Sequence, residues 1–357
     1  MSLLFTPLDL AGLSVRNRLW VSPMCQYSSV DGMPADWHHV HLAQFASGGA
    51  GLVIAEAAAV VPEGRITPQD AGIWNDAQRD AWAPIVAAVH ARGAAAGIQL
   101  GHAGRKASTR SPFDTARGSV ALSDGGWQTV APSAVAFDGY AEPVALDEAG
   151  IDAVVSGFGD AARRSDEAGF DVIEVHAAHG YLLHQFLSPL SNRRTDDYGG
   201  SLENRARLLL RAVEAVTAAA PERVIAVRFS ATDWAEGGWN VEETAIVAGW
   251  VAERGAHIID ISTGGLVAHQ RITTGPGYQV PFAAEIRERT GLFVTAVGEI
   301  VSGPQAEAVL AGGLADAVMV GREWLRDPHF GLRAVGELGD TDAAALWPPQ
   351  YERARRH

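Results

Sequence analysis

The chain has 357 residues, with 28 Lys and Arg against 42 Asp and Glu, so its formal net charge of −14 opposes attraction to nucleic acid or to an anionic membrane surface. One cysteine, Cys25, excludes an intramolecular disulfide, a cysteine-built zinc site and a cysteine-ligated iron–sulfur cluster; redox chemistry would need an organic cofactor, and the cytosol is the natural compartment. With 47% hydrophobic residues the chain can bury a large core, yet its best apolar run, Leu52 to Val61, is broken by Glu56 and too short to span a bilayer, and the start Met1-Ser2-Leu3-Leu4-Phe5 lacks the basic region of a secretory signal.

Short runs rich in Val and Ile recur along the chain and read as parallel strands: Leu19 to Met24, Leu52 to Ala57, Ala95 to Leu100, Asp171 to His176, Val224 to Phe229, Ile258 to Ser262, Phe293 to Val297 and Ala317 to Val320. Between them lie helical patterns such as Leu202, Ala206, Leu209, Val213 and Val216, with Glu203, Arg207 and Arg211 on the opposite side. Many of these end at glycines suited to a left-handed cap, among them Gly169 and Gly291. Eight such units predict one (β/α)₈ barrel over residues 1–338, followed by an extended polar tail over 339–357. An open doubly wound sheet would want G-x-G-x-x-G after the first strand, where the chain has Ser22-Pro23-Met24-Cys25. The segment Gly101 to Leu146 predicts a long loop after the third strand, on the face where barrel chemistry sits.

The strand ends are polar. They offer Ser22, Met24, Cys25 and Tyr27 after the first, Gln99 and His102 at the third, His176, His179 and Tyr181 at the fourth, Arg228 at the fifth, and Gly321 with Arg322 at the eighth. His176 and His179 are spaced to converge on one atom. They could donate to a substrate oxygen, hold a metal together with Glu174, or be structural. Alternation points Arg228 into the barrel mouth, where it needs an anion, with Glu174 or Asp260 as the structural choices. Gly298 and Gly321-Arg322 occupy the usual phosphate position of such barrels. His39 and His41 resemble a metallohydrolase H-x-H, but they come well after the first strand and begin an amphipathic helix with Val40, Leu42, Ala43 and Phe45.

Four segments taken together resemble the old yellow enzyme family of flavin-dependent ene-reductases: Ser22-Pro-Met-Cys-Gln-Tyr-Ser28, Gln99-Leu-Gly-His-Ala-Gly-Arg-Lys106, His176-Ala-Ala-His-Gly-Tyr181 and Leu187 to Arg205. Cys25 and the ending Gln350-Tyr351-Glu352-Arg353 are similar to its bacterial, thermophilic-like branch. The resemblance implies noncovalent FMN, reduced by NADPH or NADH, and hydride delivery to an alkene conjugated to a carbonyl or nitro group. It implies that His176 and His179 bind the substrate oxygen and that Tyr181 donates the proton. It assigns Ser22, Pro23, Met24, Cys25, Ala57, Gln99, His176, Arg228, Gly298, Gly321 and Arg322 to the flavin, and Tyr27 and Lys106 to the substrate pocket, with Lys106 on a mobile loop. It further implies a cytoplasmic homodimer or homotetramer in which Arg353 reaches a neighbouring active site, with Arg355 and Arg356 close by as competitors for that role. A metal-dependent hydrolase or lyase using His176, His179 and Glu174 is the competing reading.

Overall fold

Alternating side chains along short β-branched runs give each strand one face toward a barrel axis and one toward a layer of helices. The computed structural model describes residues 2–354. In it the expected strands form and close a parallel barrel: β1 (Leu19–Val21), β2 (Leu52–Ala59), β3 (Ala95–Gly101), β4 (Val172–Ala177), β5 (Val224–Ser230), β6 (Ile258–Ser262), β7 (Val294–Ala296) and β8 (Ala317–Val320), with β8 pairing back onto β1. Helices α1 (Asp36–Ser47), α2 (Asp76–His90) and α3 (Glu148–Glu167) follow the first three strands. The short α4 (Leu182–Leu187) and the long α5 (Leu202–Ala219) follow β4; α6 (Val241–Ala252), α7 (Val280–Thr290) and α8 (Gly303–Ala311) follow β5 to β7; α9 (Arg322–Arg326) and α10 (Phe330–Leu338) follow β8.

The barrel interior is layered. At the N-terminal end Trp20, Leu52, Ile54, Val172, Val224, Ile258 and Met319 form a buried apolar cluster, closed from below by the hairpin Leu8–Leu10 with Leu13–Val15. Two or four positions further along the same faces the side chains turn polar: Gln99, Glu174, Arg228, Asp260 and Thr295 are all buried. They pair with one another, and only Glu174 Oε2 among their carboxylate oxygens is left without a hydrogen bond or ion pair. Gln99 Nε2 donates to Glu174 Oε1 at 2.6 Å, Thr295 Oγ1 donates to Asp260 Oδ1 at 2.6 Å, and Arg228 Nε stands 3.0 Å from Asp260 Oδ2. Removing Asp260 would leave the guanidinium buried and uncompensated, at a cost of about 3–5 kcal/mol.

Several expectations need correction. The first strand ends at Val21, because Pro23 has no N–H to extend the ladder and Ser22 N–H makes the last bond, to Val320 O at 2.9 Å. β2 carries a bulge: Leu52 to Ala55 pair with Ala95 to Ile98, and then Ala57, not Glu56, stands opposite Gln99. The loop after β3 is not structureless, since it holds 3₁₀ turns at Gly104–Lys106 and Leu122–Asp124 and a short pairing of Val130–Ala131 with Val144–Ala145. The tail is not extended either. It forms 3₁₀ turns at Asp342–Leu346 and Pro349–Ala354, and its root is tied down where Asp340 Oδ2 accepts from Ser2 N–H and Oγ–H at 2.6 and 2.8 Å. On α1, Val40 is exposed, and the buried stripe is His38, His41, Leu42 and Phe45, spaced as one helical face.

Candidate active site

β4 ends in His176 and Ala177, and the chain then turns through His179 and Gly180 with φ of +58° and +73° before Tyr181, the residue that precedes α4. A Cβ on Gly180 would lie 2.2 Å from Gly265 O, so only glycine fits there. The turn gathers three rings: His176 lies 5.2 Å from His179 and 5.0 Å from Tyr181, centroid to centroid. His176 Nδ1 accepts from Ala178 N–H at 3.3 Å, so the ring proton sits on Nε2. His179 N–H donates to Ser230 Oγ at 2.9 Å, and its Nε2 is 2.7 Å from Ser262 Oγ. Burial, followed by the charge of Arg228, pushes both imidazoles well below the usual histidine range, so both are neutral at pH 7. Burial raises the Tyr181 phenol well above its ordinary value, so it keeps its proton. Neutral imidazoles beside a protonated phenol can stabilise a developing oxyanion and deliver a proton next to it.

Lys106 does not project from a mobile loop. Its Nζ donates to His179 O at 2.9 Å and Gly265 O at 2.8 Å and lies 5.3 Å from the Tyr181 ring, and burial lowers it to about 8. Tyr27 sits at φ +53°, with its ring edge-on to Phe113 at 5.9 Å. The bulge places Ala57 beside Gln99 and turns Glu56 toward α1, where Oε2 accepts Gln26 N–H at 2.9 Å and Oε1 is 2.9 Å from His38 Nε2. This anchors the segment bearing Pro23, Met24, Cys25 and Tyr27, all half-buried. Burial, then Asp70 and Glu56, push the Cys25 thiol up, which favours the neutral thiol over a nucleophilic thiolate.

A flavin fits these residues chemically. Gln99 gives its amide nitrogen to Glu174, which leaves its carbonyl oxygen to accept a ring N–H. Arg228 uses Nε on Asp260 and Nη1 on Ser22 Oγ at 3.0 Å, so the anion it faces within the chain is Asp260 rather than Glu174, and Nη2 remains for a ring carbonyl. A Cβ at Gly321 would meet only Met24, at 3.5 Å, so the backbone there is open to an approaching group, whereas a Cβ at Gly298, which takes φ +129°, would crowd the Gln279 side chain at 3.1 to 3.2 Å. Arg322 beside them is mostly exposed and 3.7 Å from Glu299 Oε1.

Arg353 lies exposed on the last 3₁₀ turn, whereas Arg355 and Arg356 fall outside the described residues. The metal reading fails on arrangement: among the described residues no three His, Cys, Asp or Glu side chains are grouped to hold an ion, and Glu174 is turned to Gln99. His39 is exposed and His41 packs on Phe45 at 4.7 Å. Sequence reasoning missed Glu56, Ser230, Ser262, His184 and Asp233. Only His184 carried a local signal, standing four residues past Gly180 and just beyond the His176 to Tyr181 motif.

The profile of the NADH:flavin oxidoreductase / NADH oxidase family matches residues 3–340. The NADPH dehydrogenase of Listeria monocytogenes (serovar 1/2a) is 47% identical over 357 residues, 99% of each chain, and that of Bacillus subtilis is 44% identical over 353 residues, 98% of each. Among solved structures, morphinone reductase in complex with tetrahydroNAD superposes with a TM-score of 0.78 at 32% identity, covering 95% of this chain and 93% of that one. The chain therefore belongs to the NADH:flavin oxidoreductase family of old yellow enzymes and is an FMN-dependent oxidoreductase that takes its electrons from a nicotinamide nucleotide.

Proposed function

We propose that the enzyme reduces the C=C bond of alkenes conjugated to a carbonyl or nitro group, with NADPH as the electron source. The observation that carries this reading is the trio of His176, His179 and Tyr181, with ring centroids 5.0 and 5.2 Å apart about His176 and protonation states fixed by burial. FMN, when bound, would supply the hydride chemistry that links the nicotinamide to the β-carbon of the alkene. The protein residues supply everything else. Gln99, Arg228, Ser22, Pro23, Met24, Ala57 and Cys25 would hold the ring; Gly298, Gly321 and Arg322 would hold the phosphate.

The substrate oxygen sits between His176 and His179, whose N–H groups stabilise the negative charge that gathers there. His179 acts as the second donor through Nδ1 when the single Ser262 Oγ–H leaves Gln279 Oε1, 3.2 Å away, and turns to His179 Nε2 at 2.7 Å. Tyr181 delivers its phenolic proton to the α-carbon and regains one from water, which balances the addition of one hydride and one proton across the double bond. Tyr27 and Phe113 line the mouth, and Arg353 from a neighbouring copy completes it. That role requires a homo-oligomer, and a single cysteine suits the reducing cytoplasm. The test is anaerobic reduction of the holoenzyme by NADPH and by NADH, followed by reoxidation with cyclohexenone, maleimide and a nitroalkene. Bleaching by NADPH with recovery on adding these acceptors is expected, and reduced enzyme that none of them reoxidises would overturn the substrate class.

A further inference from the structure

Behind the catalytic turn, away from the pocket, lies a polar pair that the reaction does not touch. His184 and Asp233 are both fully buried, and Nε2 of the one is 3.0 Å from Oδ1 of the other. On its other side the imidazole faces the turn: Gly180 N–H donates to His184 Nδ1 at 2.9 Å. A backbone N–H cannot act as an acceptor, so Nδ1 is unprotonated and the ring proton lies on Nε2, toward the carboxylate. Asp233 is oriented in turn by Ser188 Oγ–H at 2.6 Å and Trp239 N–H at 2.8 Å, both on Oδ2. Gln185 Nε2 donates to Gly180 O at 2.7 Å, so the peptides on both sides of Gly180 are held by consecutive residues of α4.

Burying a carboxylate and an imidazole away from solvent is costly unless their polar atoms are paired, and here each is paired, with the imidazole bonded to the turn. What they hold is a segment with His179 and Gly180 both at positive φ, the former a conformation that L-residues avoid. The Tyr181 backbone begins at this segment's end.

We propose that His184, oriented by Asp233, is a positioning residue for the proton donor: by accepting the Gly180 N–H it fixes the His179–Gly180–Tyr181 turn so that the Tyr181 phenol faces the substrate. This rests on the reading of Tyr181 as the donor. His179 is less dependent on the pair, because Ser230 and Ser262 hold it separately.

Three variants separate the roles of the two ring nitrogens. In His184→Gln the amide reaches toward Asp233 but withdraws the acceptor from Gly180; in His184→Asn the Oδ1 atom takes the place of Nδ1 and restores it. In Asp233→Asn an oxygen remains for Ser188 and Trp239 while an NH₂ faces Nε2, which demands the tautomer protonated on Nδ1, the one that cannot accept from Gly180.

The experiment is stopped-flow kinetics on FMN-loaded enzyme. His184→Gln and Asp233→Asn should slow reoxidation by cyclohexenone about 10- to 100-fold, as expected for a proton donor displaced by an ångström or so, with reduction by NADPH changed less than about threefold. His184→Asn should recover cyclohexenone turnover to within about threefold of wild type.

A wild-type cyclohexenone rate in either His184→Gln or Asp233→Asn overturns the proposal, as does His184→Asn being as slow as His184→Gln. Should His184→Gln fail to retain FMN, Asp233→Asn alone decides by the same criterion. Tyr181→Phe, run in parallel, isolates the underlying reading. If it reoxidises at the wild-type rate, the donor assignment falls and the positioning role with it. If it is slow while the two pair variants are fast, the donor stands and the positioning role alone is refuted.

Discussion

Replacing Tyr181 by Phe removes a single oxygen from the site while keeping the ring that packs 5.0 Å from His176 and 5.3 Å from Lys106 Nζ, so the loss reports on the hydroxyl rather than on packing. Transfer of hydride from nicotinamide to flavin requires no proton from the protein, and that half-reaction should be nearly unchanged. Reduction of an enone must place a proton on the α-carbon. A well-placed general acid is worth about 10²- to 10⁴-fold, or ~3 to 5 kcal/mol of barrier. The upper part of that range suits this site, because burial keeps the phenol protonated across the neutral and mildly alkaline range and no other protonated acid stands among the three rings. A nitroalkene yields a nitronate stable enough to leave before protonation, so its reduction should suffer much less. Stopped-flow absorbance of each half-reaction, with cyclohexenone and a nitroalkene as acceptors, reads all three quantities. Equal losses in both halves, or equal losses for both acceptors, would refute the reasoning and make Tyr181 a ligand-positioning group with the proton coming from elsewhere.

Phenolates should bind at the His176–His179 pair and give a long-wavelength charge-transfer band with the flavin; either His→Ala change should abolish it, and retention of the band with wild-type affinity in both variants would make the pair structural. Lys106 is the group of this cluster that changes charge between pH 7 and 10, since it titrates near 8 while the imidazoles lie far below that range and the phenol above it. Its positive charge is present below pH 8 and lost above, so enone reoxidation should decline with an apparent pKa of about 8, and the decline should vanish in Lys106→Met. Deleting 348–357 should raise KM for substrate and loosen the oligomer, as read by steady-state kinetics and sedimentation; unchanged values for both would remove Arg353 from the site.

The barrel was legible because its evidence is local: each strand alternates, and the polar residues fall where the alternation reaches the C-terminal end. Arg228 illustrates both the reach and the limit of that reasoning. Its parity pointed it inward, but only the pairing of β5 with β6 selects Asp260 over Glu174 as its partner. The bulge at Glu56 left no mark in composition, since one extra residue in a run of small apolar side chains preserves the look of a strand.

Lys106 was read as mobile because Gly, Ser and Asp surround it, whereas its tethers are carbonyls 73 and 159 residues away. The histidines of α1 were not expected to form its buried stripe, because the helix was phased on Val40. In the tail, Pro348-Pro349 suggested extension, yet proline equally suits the first position of a short helical turn. His184 and Asp233 are 49 residues apart and acquire meaning only when the fold brings both behind Gly180.

The claim that the site adds a hydride and a Tyr181-derived proton across an activated double bond is tested most directly by isotope position. Cyclohexenone reduced by the FMN-loaded enzyme with NADPH deuterated at C4 in ordinary water should carry deuterium at the β-carbon, and with unlabelled NADPH in D₂O at the α-carbon, the latter label falling in rate with Tyr181→Phe. Reduction at the carbonyl carbon, or deuterium from the nicotinamide appearing at the α-carbon, would contradict the assignment of the reaction and of the residues that carry it.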